Sequence, residues 1–480
     1  MKNPSISLPI VAVMLLAAGA AAPSRSYAAD SLPAPIGAAL QRANLPAGAA
    51  AIVVVPVDGK GAINLNWNGG TAMNPASTMK LVTTYAALNM LGPAFSWKTQ
   101  VYTNGVLDGG TLTGDVAIRG AGDPKLVIED LWLLAYRMRA YGIREIRGDV
   151  VLDKTLFGRL DEDTDAFDGA GDRAYNVGPD ALLVNFKALA FHFVPDPSAN
   201  VARVVVVPPI AGMRAPQVVS GAGGGCGDWR GKLRADFAEP LAPRFSGSYP
   251  LSCGERVWYL GALDHDQYFA AVFRGLWESI GGVWRGAVRR GTVPATARMV
   301  AQHESPPLAL MVRDVNKYSN NVMARHLLLT IGTQSDVGGP RPATPEQGSV
   351  AMRGWLGRVG LDSPELTLDN GAGLSRTARI SANTLSRLLL HAYRSPVMPE
   401  FVSSLPIAGV DGTMKDRAVA RGAAHLKTGS LNNVRAIAGF VTARSGQVYV
   451  VVSFFNHANA DTRAAQNAQD DLIDWVYSGG

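Results

Sequence analysis

A serine and a lysine stand three residues apart in Asn74-Pro75-Ala76-Ser77-Thr78-Met79-Lys80, and the run 81–91 that follows is apolar enough for a buried helix. If that helix starts near Pro75, Ser77 lies in its first turn and Lys80 one turn on along the same face. A serine hydroxyl is a weak nucleophile until a base takes its proton. A lysine kept neutral by burial, or by a second cation, can be that base. The same spacing also fits an N-capped core helix, and Ser-x-x-Lys arises by chance about once in a chain this long. Two further elements decide between these readings. Ser319-Asn320-Asn321 falls between two stretches of helical spacing, one carrying Leu308, Met311 and Val315 and the other Val322, Met323 and Leu327. Lys427-Thr428-Gly429 closes a strand-like run that begins at Ala424. Each has a bland alternative: an interhelical polar turn, or a strand with a glycine near its end. All three in this order, each on a suitable element, are not expected by accident.

The elements that must position these residues come from both ends of the chain. Residues 31–44 have an amphipathic helical pattern, and 50–57 and 63–67 read as strands around Asp58-Gly59-Lys60-Gly61, a hairpin signal. Near the other end, 424–427, 436–442 and 448–455 read as strands, with Arg444-Ser445-Gly446 as a turn and a closing helix at 460–476. The expected product is one antiparallel sheet closed by both termini and flanked by helices. Between them, residues 98–295 are rich in strand alternation and turns, with helices expected only near 131–141 and 269–280. This stretch reads as an inserted, mainly β region with two nested subdomains. The catalytic unit is then discontinuous, 30–97 and 296–480.

A chain of 480 residues is long enough for two or more cores, and 47% apolar with 18% charged residues suits a globular protein. The formal charge of +6 is spread over a large surface without a dense basic run, which gives no support to nucleic acid as a partner. Met1-Lys2, an apolar centre from Ile6 to about Ala22, and Ser26-Tyr27-Ala28 describe a secretory signal peptide over 1–28, cut after Ala28 or Ala29. No later run approaches 18 apolar residues, so no transmembrane helix is expected in the mature chain. The destination is the periplasm. In an oxidising compartment the only two cysteines, Cys226 and Cys253, are most simply a disulfide. Two cysteines make no zinc ribbon and HExxH is absent, so neither metal nor cofactor is expected.

Ser-x-x-Lys, Ser-x-Asn and Lys-Thr-Gly together resemble the serine penicillin-recognising enzymes. Within them the chain resembles the low-molecular-mass penicillin-binding proteins of the D-alanyl-D-alanine carboxypeptidase/endopeptidase class, peptidase family S13. Ser77 and Ser319 are 242 residues apart, as a large β-rich insertion requires. Gly120-Ala-Gly122-Asp123-Pro124, Asp369-Asn-Gly-Ala-Gly373-Leu-Ser375-Arg376 and Leu405-Pro-Ile-Ala-Gly409-Val-Asp-Gly412-Thr413 resemble its secondary signatures, although Asn370 and Ala372 depart from the expected pattern.

The resemblance implies an α/β (α+β) catalytic domain of the serine β-lactamase/transpeptidase type. It also implies an acyl-enzyme on Ser77, with peptidoglycan stem peptides as substrates and β-lactam antibiotics as acylating ligands. Lys80 is then the base, helped by the nearby charge of Lys427. Ser319 relays a proton to the departing amine and Asn321 holds the substrate amide. Lys427 and Thr428 meet the terminal carboxylate, Gly429 leaves room at the strand edge, and the amides of Ser77 and Ser430 form the oxyanion hole. The stretch 152–157, with an acid and an aromatic, could contact the free amine of diaminopimelate or be a strand-end turn. Two alternatives stand beside this reading, a serine β-lactamase and a non-catalytic cell-wall binding protein of the same fold. A Ser-His-Asp hydrolase is disfavoured, because no G-x-S-x-G occurs and the seven histidines show no motif spacing.

Overall fold

Two valine-rich runs from opposite ends of the chain pair with each other, as branched side chains on a pleated surface favour. In the computed structural model, which describes residues 25–26, 31–158, 160, 165–334 and 342–480, Ala50–Pro56 lies antiparallel to Val448–Asn456, from Ala50 opposite Phe455 to Pro56 opposite Tyr449. The sheet runs in the order Arg25–Ser26, Ile63–Trp67, Ala50–Pro56, Val448–Asn456, Val434–Thr442, Ala424–Leu431. Of the leader expected over 1–28, all but Arg25–Ser26 lies outside the described residues.

Successive side chains on a strand point to opposite faces, so this sheet feeds two cores. Ala51, Val53, Ala436, Ala438, Val450 and Val452 pack on one side against the Met79–Leu91, Leu308–Tyr318 and Asn321–Thr333 helices. Ile52, Val54, Ile437, Val451 and Phe455 face the Ala34–Arg42 and Arg463–Ser478 helices. The result is three layers, helix–sheet–helix, with both termini joined in the middle one. Ala424–Leu431 ends the sheet; the 406–408 segment bonds its outer edge at Ala424 and Leu426, and Lys-Thr-Gly follows on the edge beyond.

The long middle forms further sheets. Lys98–Asp108, Thr111–Arg119, Val150–Asp153 and Arg298–Glu304 belong to a seven-stranded sheet covered by the Ile128–Ala140 and His265–Ser279 helices. Arg298–Glu304 pairs with Lys98–Asp108, so this sheet continues past residue 295 to Glu304. A five-stranded sheet containing Leu189–Asp196, Val201–Val207 and Arg256–Leu260 sits within the same stretch of chain. Beside it Cys226 and Cys253 form a disulfide, their Cα atoms 4.8 Å apart. The 152–157 stretch is a strand end tied both to the inserted region and to the Asn321–Thr333 helix. Asp153 accepts from Thr155 and the Val293 amide, Lys154 pairs with Asp180 and Asp266, and Phe157 is buried against His326. Among the described residues no helix is long and apolar enough to cross a membrane.

Candidate active site

The nucleophile sits on a strained turn. Ala76–Thr78 form a single 3-10 turn leading into Met79–Leu91, and Ala76 has φ +45°, a left-handed conformation that disfavours any residue with a Cβ. Side chains hold the turn there. The Asn74 Oδ1 accepts the Ala76 amide at 2.9 Å, its Nδ2 donates to the Ser375 carbonyl at 2.9 Å, and Asn456 bonds both backbone groups of Asn74. The helix that follows is buried on nearly every side, so Lys80 enters the site from a rigid support.

Lys80 has no exposed surface. Its Nζ lies 3.0 Å from Ser77 Oγ and is in donating range of Asn321 Oδ1 at 2.7 Å and the Ala372 carbonyl at 2.6 Å. Burial, then the charges of Lys427 and Arg325, hold its pKa well below the lysine range. A neutral amine has two N–H groups and one lone pair. Asn321 and Ala372 are natural acceptors for the two, which leaves the lone pair aimed at the Ser77 hydroxyl.

The second serine is placed by a break between helices. Leu308–Tyr318 ends at Ser319 in the left-handed region, φ +57°, and the Asn320 side chain then caps Asn321–Thr333 by accepting the Met323 amide at 3.1 Å. This reversal brings Ser319 and Asn321 to the same point. Lys427 donates to Ser319 Oγ at 2.9 Å and to the Thr428 carbonyl at 2.7 Å, and burial lowers its pKa to about 7. An ion pair between buried Lys317 and partly exposed Asp411, 2.6 Å, ties the Ser319 helix to the turn that carries Thr413. Thr413 Oγ1 in turn accepts from Thr428 Oγ1 at 2.7 Å.

Gly429 explains the meeting of edge strand and nucleophile turn. A Cβ there would lie 2.8 Å from the Ser77 amide nitrogen, 2.9 Å from the Pro75 oxygen and 3.0 Å from the Ala76 Cβ. A cleft of about 290 Å³ opens beside it, lined by Ser77, Ser319, Thr413, Thr428, Gly429 and Ser430 and extending to Arg417, Arg435, Gln466 and Gln469. The structure thus brings Ser77, Lys80, Ser319, Asn321, Lys427, Thr428, Gly429 and Ser430 together. Cys226 and Cys253 lie apart from them in the insertion. The Lys427 ammonium is fully buried directly behind Ser319, bonded to the hydroxyl that lines the cleft.

Several participants were not singled out from the sequence. Asn74 and Asn456 hold the turn; Ala372 contributes only its carbonyl. The Tyr175 carbonyl, from the insertion, accepts from Asn321 Nδ2 at 3.1 Å. Two of the secondary signatures did carry a signal. Asn370, one of the departures in 369–376, accepts the Ala372 amide and donates to the Leu374 carbonyl, shaping the turn that offers the Ala372 oxygen to Lys80. The 405–413 stretch supplies Asp411 and Thr413.

A helix-borne Ser–Lys pair facing an edge strand with a second lysine places the fold in the serine β-lactamase/transpeptidase class. The chain belongs to the D-Ala-D-Ala carboxypeptidase 3 (S13) family, which it matches over residues 32–477. It is 30% identical to the D-alanyl-D-alanine carboxypeptidase of Actinomadura sp. (strain R39), over 96% of this chain and 88% of that protein. It is 27% identical to the D-alanyl-D-alanine carboxypeptidase DacB of Haemophilus influenzae, over 82% of each. The crystal structure of penicillin binding protein 4 (dacB) from Haemophilus influenzae superposes with a TM-score of 0.75 at 24% identity, covering 92% of this chain and 99% of that one.

Proposed function

We propose that the protein is a serine-type D-alanyl-D-alanine carboxypeptidase and/or endopeptidase of peptidoglycan stem peptides, exported to the periplasm and acylated by β-lactams. The observation that carries this reading is the buried Lys80 amine 3.0 Å from Ser77 Oγ, with its pKa depressed. Ser77 Oγ attacks the carbonyl carbon of the scissile D-Ala–D-Ala bond as Lys80 takes the hydroxyl proton. The Ser77 and Ser430 amides receive the oxyanion, which Gly429 permits by letting the strand edge approach the turn. Ser319, bonded to Lys427, gives a proton to the departing amine. Asn321 orients Lys80 and the substrate amide. Water then cleaves the acyl-enzyme, with Lys80 as its base. Residues 30–97 and 296–480 are the penicillin-binding catalytic domain in this scheme, and 98–295, with its sheet running on to Glu304, is the inserted β-rich region. Residues 1–28 are its export signal; membership of a peptidoglycan-directed family supports that address.

Fluorescent penicillin tests the reading directly. Wild-type protein is expected to label covalently and hold the label for minutes or longer, and Ser77→Ala to remain dark. Label lost within seconds identifies a β-lactamase instead. D-alanine release from a pentapeptide, and cleavage of a cross-linked dimer, then separate the carboxypeptidase and endopeptidase activities. No labelling and no D-alanine release from folded wild type would reduce the protein to a binding module.

A further inference from the structure

The steps above move the proton and expel the amine, and the free carboxylate of the departing D-amino acid needs cations of its own. Lys427 stands behind Ser319, bonded to its hydroxyl, and a second cation lines the cleft itself. The register of the edge strand shows where. Gly429 stands opposite Ala436, on the face that meets the nucleophile turn, whereas Thr428 stands opposite Ile437 and Ser430 opposite Arg435. Ile437 packs with the C-terminal helix, so Thr428, Ser430 and Arg435 share the other face of the sheet. Directly opposed Cβ atoms of an antiparallel pair are about 5 Å apart, which places the start of the Arg435 side chain next to Ser430. The cleft continues from Ser77 round the outer edge of Ala424–Leu431 to this second face, and Arg435 lines it.

Arg435 is held but not neutralised. Its Nε donates to the Ala460 carbonyl at 2.8 Å, and its other N–H groups have no hydrogen-bond or ion-pair partner among the described residues. Arg417 beside it differs, since Nε and Nη2 both bond Asp470. A planar guanidinium, anchored through one nitrogen and free at the others, suits a carboxylate.

We propose that Arg435 is the specificity-determining cation of the cleft, receiving the carboxylate of the leaving D-amino acid with the Ser430 hydroxyl, and the Thr428 hydroxyl once it turns from Thr413, as co-donors. This rests on the carboxypeptidase reading above. The test is a matched pair of substrates, one peptide ending in D-Ala-D-Ala with a free carboxylate and the same peptide as its C-terminal carboxamide. Steady-state kcat and KM are measured for wild type, R435K and R435Q. Wild type is expected to favour the free carboxylate. In R435Q that preference in kcat/KM falls by about 10- to 100-fold, mostly through KM, while carboxamide turnover falls far less; R435K keeps part of the preference. An unchanged preference in R435Q overturns the proposal, as does an equal loss on both substrates, which marks a merely structural role. If R435Q does not fold, full loss of the preference in folded R435K still supports the assignment and an unaltered preference removes it. Folded wild type that hydrolyses neither peptide overturns the carboxypeptidase reading itself, a result distinct from all of these.

Discussion

The two buried lysines, Lys80 and Lys427, are suited to different tasks in the proposed reaction because their neighbours differ. Lys80 touches Ser77, Asn321 and a carbonyl, and its pKa is depressed by burial and by the charge of Lys427. Lys427 touches Ser319, and burial alone takes it from 10.5 to about 7. The base must be neutral, so acylation rises with pH through the folded value of Lys80. Lys427→Gln removes a cation, raises that value, and moves the acidic limb of the acylation profile to higher pH; second-order acylation rates measured across pH check this, and an unmoved limb refutes it. Lys80→Ala should slow acylation by about 10²–10⁴-fold. Stability follows from the same burial. Between about pH 7 and 10.5 the unfolded chain holds a proton that folded Lys427 has lost, so folding stabilises as pH rises across that window and is weakest below it. Lys427→Met abolishes this contribution and should raise Tm near neutral pH by at least about 2 °C while destroying turnover, as calorimetry at several pH values would record.

At the scale of elements, the site is an encounter of three: the turn before Met79–Leu91, the break between Leu308–Tyr318 and Asn321–Thr333, and the edge strand Ala424–Leu431. None is catalytic alone. The edge strand approaches the turn only because residue 429 lacks a side chain. Gly429→Ala inserts a Cβ against backbone atoms at 2.8 and 2.9 Å, which cannot yield as a flexible side chain would. The strand must back away from Ser77, and an oxyanion hole displaced by even an ångström loses much of its effect. Penicillin acylation is expected to fall by about 100-fold or more, with Tm changed by only a few degrees. Wild-type acylation in Gly429→Ala would show that the hole lies elsewhere.

Across the whole molecule the insertion is more than a passenger. It reaches the catalytic centre through the Tyr175 carbonyl on Asn321 and through Phe167, whose ring lies 4.6 Å from the Arg376 guanidinium. Its disulfide is remote from that contact. Replacing Cys226 and Cys253 by serine should destabilise by about 3 kcal/mol, read by denaturant melting, while leaving the penicillin acylation rate within about two-fold at 25 °C. A large loss of acylation in folded protein would mean that the far end of the insertion is coupled to Ser77.

The sequence by itself determined the family resemblance and the layers. Ser77, Lys80, Ser319, Asn321 and Lys427 could be singled out as one cluster because short motifs fix residue types at local spacings, and the strands because branched residues alternate with period two. Sequence order also marked the long β-rich middle off from the two ends, although Arg298–Glu304 pairs beyond the boundary expected at 295. Only the tertiary structure decided which atoms meet. That Asn74 and Asn456 clamp a strained turn, that a backbone oxygen of Ala372 faces Lys80, and that Lys427 points inward while Arg435 points into the cleft depend on contacts between residues hundreds of positions apart. Local patterns carry no record of such contacts, because backbone donors and long-range packing leave no mark on residue type.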